Sequence, residues 1–179
     1  MSKLPMNLPN RITLARIALV PVHLALLCVG TEACRYAAAA VFAIAALTDL
    51  LDGRIARRSG MVTDFGKFMD PIADKLLVLL PYIYFAVQDG GGLNMWAVML
   101  MVAREIIVSG FRLVAVARGD VLAADGAGKA KTLVQMASVF ALSLGLYIGW
   151  PLAWAAAALS VFSGVRMIAS HRKVLEEAP

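Results

Sequence analysis

The chain has 179 residues, 61% of them hydrophobic, and a mean hydropathy of +0.78. Soluble domains are about 45–50% apolar, so this composition excludes an ordinary soluble protein and favours a single membrane domain over residues 1–179. The net charge is +5, with 17 Lys and Arg residues against 12 Asp and Glu residues.

Six apolar segments are long enough to cross a bilayer, which takes about 20 residues in a helix. They cover residues 12–29, 36–56, 65–87, 93–117, 127–148 and 152–169, with glycine-rich or polar turns between them. This pattern predicts an all-α polytopic membrane protein with six transmembrane helices. Residues 1–9 are too few for another span and fit a short segment along the membrane interface.

The Lys and Arg residues indicate which helix ends face the cytoplasm, because cytoplasmic ends are rich in them. With the N-terminus inside, all but two of the 17 fall in or near cytoplasmic ends, whereas Arg35 lies outside and Arg104 lies near mid-membrane. Both termini are then cytoplasmic. Because the basic residues trace a membrane face, the high net charge does not indicate a nucleic-acid partner.

Four aspartates concentrate in the second and third predicted helices, where each charge costs about 2.5–3.5 kcal/mol to insert. Asp49 and Asp52 are spaced i, i+3, and Asp70 and Asp74 are spaced i, i+4, so each pair lies on one helical face. The short connection makes the two helices antiparallel neighbours, with both pairs in the cytoplasmic half of the membrane. We therefore expect four carboxylates to converge in one layer.

Converging carboxylates repel one another unless a cation neutralises them. Mg²⁺ prefers carboxylate and phosphate oxygens, and two such ions can clamp a phosphate during a displacement. Gly53 and Gly66 share the aspartate faces and leave room for a bulky ligand, while Arg57 can offer a planar fork to phosphate. Two other interpretations are interfacial aspartates paired with nearby basic side chains, and a proton or cation pathway.

The aspartates belong to a longer pattern, Asp49-x2-Asp52-Gly53-x2-Ala56-Arg57-x8-Gly66-x3-Asp70-x3-Asp74. This pattern resembles the complete signature of the CDP-alcohol phosphotransferase family. The resemblance implies six transmembrane helices, a homodimer, and two Mg²⁺ or Mn²⁺ ions held by the four aspartates Asp49, Asp52, Asp70 and Asp74.

The same resemblance implies a reaction. A phosphatidyl-type group passes from a CDP-linked donor to an alcohol, CMP leaves, and Asp74 is the general base. The resemblance also implies a set of donor-binding residues, namely Asp52, Gly53, Ala56, Arg57 and Gly66.

Residues 9–16, 104–112 and 128–132 resemble the phosphatidylglycerophosphate synthases within that family. This narrower resemblance implies CDP-diacylglycerol as the donor and glycerol 3-phosphate as the acceptor. Because no transit-like leader is visible, we expect the lipids of a bacterial cytoplasmic membrane around the protein. The distribution of the basic residues makes the active site face the cytoplasm. A dianionic acceptor needs cations near the aspartates. The residues expected to bind its phosphate are Thr13, Arg16, Arg112, Lys129 and Lys131.

Several alternatives stay open at this point. Another acceptor within the family would be serine, inositol phosphate, or phosphatidylglycerol as in cardiolipin synthesis, and a divalent-cation transporter is the non-enzymatic alternative. Arg104 and Glu105 form either a buried network that orients Arg112 or a structural pair between helices.

Overall fold

The structure, a computed structural model, describes residues 8–59, 64–119 and 126–172, apart from the side chains of residues 8, 9, 49–59, 64, 67, 93 and 127. The described residues form six α-helices and no β-strand, which confirms the all-α prediction. The helices are α1 Leu8–Val29, α2 Glu32–Ser59, α3 Asp64–Gln88, α4 Leu93–Ala117, α5 Gly126–Ser143 and α6 Gly149–Ser170.

Hydrogen bonds between helices show which of them run in the same direction. Tyr84 Oη donates to the Leu27 carbonyl oxygen at 2.9 Å, near the C-terminal ends of α3 and α1. Trp154 Nε1 donates to Asn94 Oδ1 at 3.1 Å, near the N-terminal ends of α6 and α4. Because α3 and α4 are joined by a tight turn, the pair α1 and α3 runs opposite to the pair α4 and α6.

The core runs through all six helices and combines a few large side chains with many alanines. Tyr82, Phe42 and Met101 are almost completely buried in it. The alanines at the α1–α2 and α5–α6 contacts are also buried, and small side chains let neighbouring helix backbones approach closely. The two pairs contact each other through α2 and α5, while α1 packs against α3 and α6 packs against α4.

Two helices end in the same glycine turn. At the end of α3, the Gly91 amide donates to the Ala86 carbonyl oxygen (2.9 Å), with Gly90 at φ +77°. At the end of α5, the Leu146 amide donates to the Ala141 carbonyl oxygen (2.9 Å), with Gly145 at φ +75°. These are Schellman motifs, in which glycine adopts the left-handed conformation at little cost.

The fifth helix ends earlier than the sequence analysis predicts. The predicted segment continues to residue 148 and treats residues 149–151 as a turn, but α5 ends at Ser143 and α6 begins at Gly149. Pro151 therefore lies in the first turn of α6, where its missing N–H removes no intrahelical hydrogen bond. The turn is formed instead by Gly145.

Among the described residues, Asn10–Val29 and Gly149–Ser170 are long and apolar enough to cross a membrane by length and composition. Charged residues interrupt the apolar surface of the helices between them. These features fit an all-α membrane protein.

Candidate active site

Two aspartates of α3 are held by two residues of α1. Thr13 Oγ1 donates to Asp70 Oδ1 at 2.7 Å, and Arg16 Nη1 donates to Asp74 Oδ1 at 3.0 Å. Thr13 and Arg16 are about one helical turn apart on α1, and Asp70 and Asp74 are about one turn apart on α3. The two parallel helices therefore present these residues in register. The structure thus brings all four residues together.

The Arg16–Asp74 pair is asymmetric in its burial. Arg16 is 1% exposed, whereas the side chain of Asp74 is 45% exposed. A buried guanidinium without a carboxylate partner is very unfavourable, so the Asp74 carboxylate supplies the counter-charge that Arg16 needs. The cation therefore lies behind the carboxylate, and the carboxylate faces the open side.

The other half of the predicted aspartate layer is on α2. Asp49, Asp52, Gly53, Ala56 and Arg57 all fall within α2, but their side chains lie outside the described part of the structure. The helices α2 and α3 contact each other, and Gly66 is buried near the start of α3.

No group of three or more His, Cys, Asp or Glu side chains able to hold a metal is present among the described residues. Asp70 and Asp74 are two of the four predicted ligands, and the side chains of the other two are not described. The four-aspartate metal site and the donor-binding residues on α2 therefore stay predictions.

A cavity of about 490 Å³ opens beside Asp74, between α3, α4 and α5. Hydrophobic side chains such as Val78, Val108 and Met136 form part of its wall. Six charged residues also line it, namely Asp74, Lys75, Arg104, Glu105, Arg112 and Lys131. Four cations against two carboxylates leave the cavity with a net positive charge, which suits an anionic ligand.

Among the described residues, Arg112 has the weakest protein partner of the four cavity cations. Its buried Nε has no hydrogen-bond partner among the described residues, and its Nη2 is 3.9 Å from Met167 Sδ, a weak acceptor. No described carboxylate forms an ion pair with it. A guanidinium in this state is suited to bind an anion that enters the cavity.

The other cations of the cavity are held by protein groups. Lys75 Nζ donates to Ser109 Oγ at 2.5 Å, and Ser109 Oγ donates to the Glu105 carbonyl oxygen at 2.5 Å. Lys131 Nζ and Arg104 Nη1 both donate to Glu105 Oε1. Lys75 is not among the predicted site residues, although it follows Asp74 directly in the chain.

The five predicted acceptor residues separate into three groups. Arg112 and Lys131 line the cavity. Thr13 and Arg16 are buried on α1 behind the aspartates and are not among the lining residues. Lys129 is exposed on α5 and does not line the cavity either, because residues two apart on a helix point in nearly opposite directions.

The Arg104–Glu105 pair is present, and its partner on α5 is Lys131. Arg104 also reaches α6, where Nε donates to the Ser160 carbonyl oxygen and Nη2 to Ser163 Oγ, both at 2.9 Å. The described contacts of Glu105 do not include Arg112. Of the two alternatives, the observed contacts favour a network between helices over one that orients Arg112 directly.

Comparisons with known proteins show the family to which the chain belongs. Residues 6–162 match the family model described as CDP-alcohol phosphatidyltransferase. The chain is 38% identical to the CDP-diacylglycerol–glycerol-3-phosphate 3-phosphatidyltransferase of Bacillus subtilis, over 95% of this chain and 97% of that one. It is also 38% identical to the enzyme of the same name from Rickettsia typhi, over 88% of this chain and 93% of that one.

A solved structure shows the same fold. The apo crystal structure of Mycobacterium tuberculosis phosphatidylinositol phosphate synthase matches with a TM-score of 0.65 and covers 97% of this chain and 95% of that one. The sequence identity is 23%, so this match supports the six-helix arrangement and does not indicate the acceptor.

Proposed function

The chain belongs to the CDP-alcohol phosphatidyltransferase family, and we propose that it transfers a phosphatidyl group from CDP-diacylglycerol to glycerol 3-phosphate. The products are phosphatidylglycerophosphate and CMP. Family membership and the names of the 38% identical relatives support the reaction. The names of these relatives carry the choice of glycerol 3-phosphate, and the positively charged cavity beside Asp74 suits an acceptor with a phosphate.

The charge of the cavity matches the charge of the acceptor. Phosphate monoesters carry about −1.5 to −2 at pH 7, and the lining side chains supply four cations and two carboxylates. Arg112 offers a planar fork that can bind two phosphate oxygens at once, whereas Lys75 and Lys131 act as point charges. We assign the acceptor phosphate to Arg112 and Lys131, with Lys75 nearby.

Asp74 lines the cavity, so in this proposal it can reach the acceptor hydroxyl. It takes the proton from the primary hydroxyl of glycerol 3-phosphate as that oxygen attacks the donor phosphorus next to diacylglycerol. The bond from this phosphorus to the CMP oxygen breaks, and CMP leaves with the bonding electrons. Arg16 holds one oxygen of Asp74 and fixes the direction of the carboxylate during proton transfer.

We further propose that Asp49, Asp52, Asp70 and Asp74 hold two divalent cations, Mg²⁺ or Mn²⁺. Carboxylate oxygens are the ligands these ions prefer, and Asp70 and Asp74 lie on one helical face, each oriented by a hydrogen bond from α1. Bound cations would supply positive charge next to the diphosphate of the donor. The residues proposed to bind that donor remain Asp52, Gly53, Ala56, Arg57 and Gly66.

The proposal includes the position in the membrane. All six helices would span a bacterial cytoplasmic membrane with both termini and the active site on the cytoplasmic side, and the protein would form a homodimer. The helices have 18 to 28 residues, which gives about 27–42 Å at 1.5 Å per residue, against about 30 Å of hydrocarbon. Large apolar side chains such as Ile106, Ile107 and Phe162 are exposed on the outer surface, where lipid or a second copy would cover them.

A CMP-release assay on the purified protein tests the reaction. The protein in detergent micelles containing CDP-diacylglycerol and Mg²⁺ receives one acceptor at a time: glycerol 3-phosphate, serine, inositol phosphate or phosphatidylglycerol. We expect CMP release with glycerol 3-phosphate alone. Preference for another acceptor would contradict the assigned acceptor, and CMP release with none of them would contradict the enzymatic assignment.

The transporter alternative has its own measurement. The protein in sealed vesicles is given Mn²⁺ outside, and Mn²⁺ entry is followed with an indicator dye in the lumen. We expect no entry above that of empty vesicles. Metal entry in the absence of CMP formation would support a transporter.

A further inference from the structure

Glu105 is a carboxylate in a place where an anion is expected to bind. It is 9% exposed, and it lines the same cavity as Arg112 and Lys131. A negative charge there repels an anionic ligand, and burying it is unfavourable unless it is paired. The position of Glu105 therefore needs a reason that outweighs both effects.

The contacts of Glu105 suggest that reason. Its Oε1 accepts hydrogen bonds from Arg104 Nη1 at 3.0 Å and from Lys131 Nζ. Arg104 is held independently by two groups of α6, Ser160 and Ser163. Lys131 has no other hydrogen-bond partner among the described residues, so Glu105 alone fixes its ammonium group.

The space around Gly164 of α6 shows that the Arg104 side chain packs closely against this helix. A Cβ atom at Gly164 would lie 3.2 Å from Arg104 Cγ and 3.2 Å from its Nε. Arg104 is therefore closely confined on the α6 side, and its hydrogen bond to Glu105 orients the carboxylate toward α5. The chain of contacts runs from α6 through Arg104 and Glu105 to Lys131 at the cavity wall.

We propose that Glu105 is a positioning residue that acts through Lys131, which binds the acceptor phosphate. An ammonium group has three donors, and the one used by Glu105 leaves two that can point into the cavity. Without Glu105, the four-carbon chain of Lys131 would sample many directions, and the phosphate would lose a preorganised partner. This inference rests on the proposed function, because it takes an acceptor with a phosphate as given.

Steady-state kinetics of four variants test the inference. They are Glu105→Gln, Glu105→Asp, Lys131→Met and the double variant Glu105→Gln/Lys131→Met, each assayed for CMP release with either substrate varied. For Glu105→Gln we expect KM for glycerol 3-phosphate to rise about tenfold, as for loss of one charge-assisted hydrogen bond, with KM for CDP-diacylglycerol unchanged. Glu105→Asp keeps the charge and should recover part of the loss.

The double variant separates positioning from packing. If Glu105 acts through Lys131, KM for the acceptor in the double variant equals that of Lys131→Met alone. The inference would be overturned if the rises in acceptor KM of the two single variants multiplied in the double variant. An equal change in KM for both substrates would overturn it as well. Thermal unfolding in detergent is measured for each variant, and Glu105→Asp provides the kinetic comparison if Glu105→Gln does not fold.

The same assays distinguish this inference from the proposed function. If the wild-type protein uses an acceptor other than glycerol 3-phosphate, the acceptor assignment fails while the four variants still test Glu105 with that acceptor. If the wild type uses glycerol 3-phosphate and Glu105→Gln leaves its KM unchanged, the inference about Glu105 fails and the proposed function stands.

Discussion

The two ends of the helix bundle are built from different kinds of residues. One end has the aspartates of α3, the positively charged cavity and the ion pairs formed between described residues. The other end has the glycine turns that follow α3 and α5, with Gly90 and Gly145 in the left-handed conformation. Changes at the first end should therefore affect activity, and changes at the second end should affect stability.

The charged end itself contains two clusters of opposite polarity. In the α1–α3 cluster, the buried cation Arg16 lies behind the exposed carboxylate Asp74. In the α4–α5–α6 cluster, the buried carboxylate Glu105 lies between the cations Arg104 and Lys131. The first cluster presents negative charge to the proposed cation site, and the second presents positive charge to the proposed phosphate site.

The largest effect is expected for Asp70→Asn. This change keeps an acceptor for Thr13 but removes a charge from the proposed metal site, so turnover should fall about a thousandfold, or about 4 kcal/mol in the barrier. Thermal unfolding should be nearly unchanged because Asp70 is exposed. Asp89→Asn on an exposed residue beyond the opposite end of α3 is the matched control, and CMP release is the measurement. Retained turnover in Asp70→Asn would argue against a metal role for α3.

Arg112→Gln should have the next largest effect, and on a different kinetic constant. Loss of charged hydrogen bonds to the acceptor phosphate should raise KM for glycerol 3-phosphate by about 10- to 100-fold. KM for CDP-diacylglycerol should stay within about twofold of the wild-type value. Arg166→Ala, an exposed arginine of α6, controls for the loss of one positive charge. A similar rise in both KM values would show that Arg112 does not distinguish the acceptor.

Arg16→Gln should have a smaller effect on activity, and it should also lower stability. The variant leaves Asp74 without its buried cation, so kcat should fall about tenfold through misdirected proton transfer. Stability should fall by about 1–2 kcal/mol, less than for a fully buried pair because Asp74 is partly exposed. Arg16→Lys keeps the charge and should recover part of kcat. If KM for glycerol 3-phosphate rose while kcat stayed the same, Arg16 would bind the acceptor directly, as the sequence analysis expects.

The sequence was sufficient for the helices because their positions follow from simple patterns. Apolar length and polar turns determine where each helix lies, and five of the predicted segments end within a few residues of the observed helices. The fifth predicted segment was wrong at its C-terminal end. Gly149 and Pro151 are residue types typical of a turn, but Pro151 also fits the first turn of a helix, and here it lies in the first turn of α6. The choice between Gly145 and Gly149 depends on backbone geometry that residue type does not specify.

The site was predictable only where residues on one helix share a face. The spacings of Thr13 with Arg16 and of Asp70 with Asp74 place each pair correctly. The partner of Glu105 was not predictable, because the rotation of α5 about its axis decides whether Lys129 or Lys131 faces the cavity. That rotation is set by packing against α6 and α2, which is a property of the whole bundle.

The smallest effect is expected at the end of the bundle that has the glycine turns after α3 and α5. A change there should alter stability and leave activity unchanged. Gly90 has φ +77°, and a Cβ there would meet no atom within 4 Å, so Gly90→Ala should lower stability by about 1 kcal/mol through backbone strain alone. Gly110 also has free space but lies inside α4, where Ala should raise stability by about 0.5–1 kcal/mol. Thermal unfolding in detergent measures the stability of both variants, and the two changes should have opposite signs.

Because Gly90 is at the far end from the cavity, the CMP-release rate of Gly90→Ala below its unfolding temperature should equal that of the wild type. A loss of rate without a loss of stability would show that the two ends of the bundle are coupled.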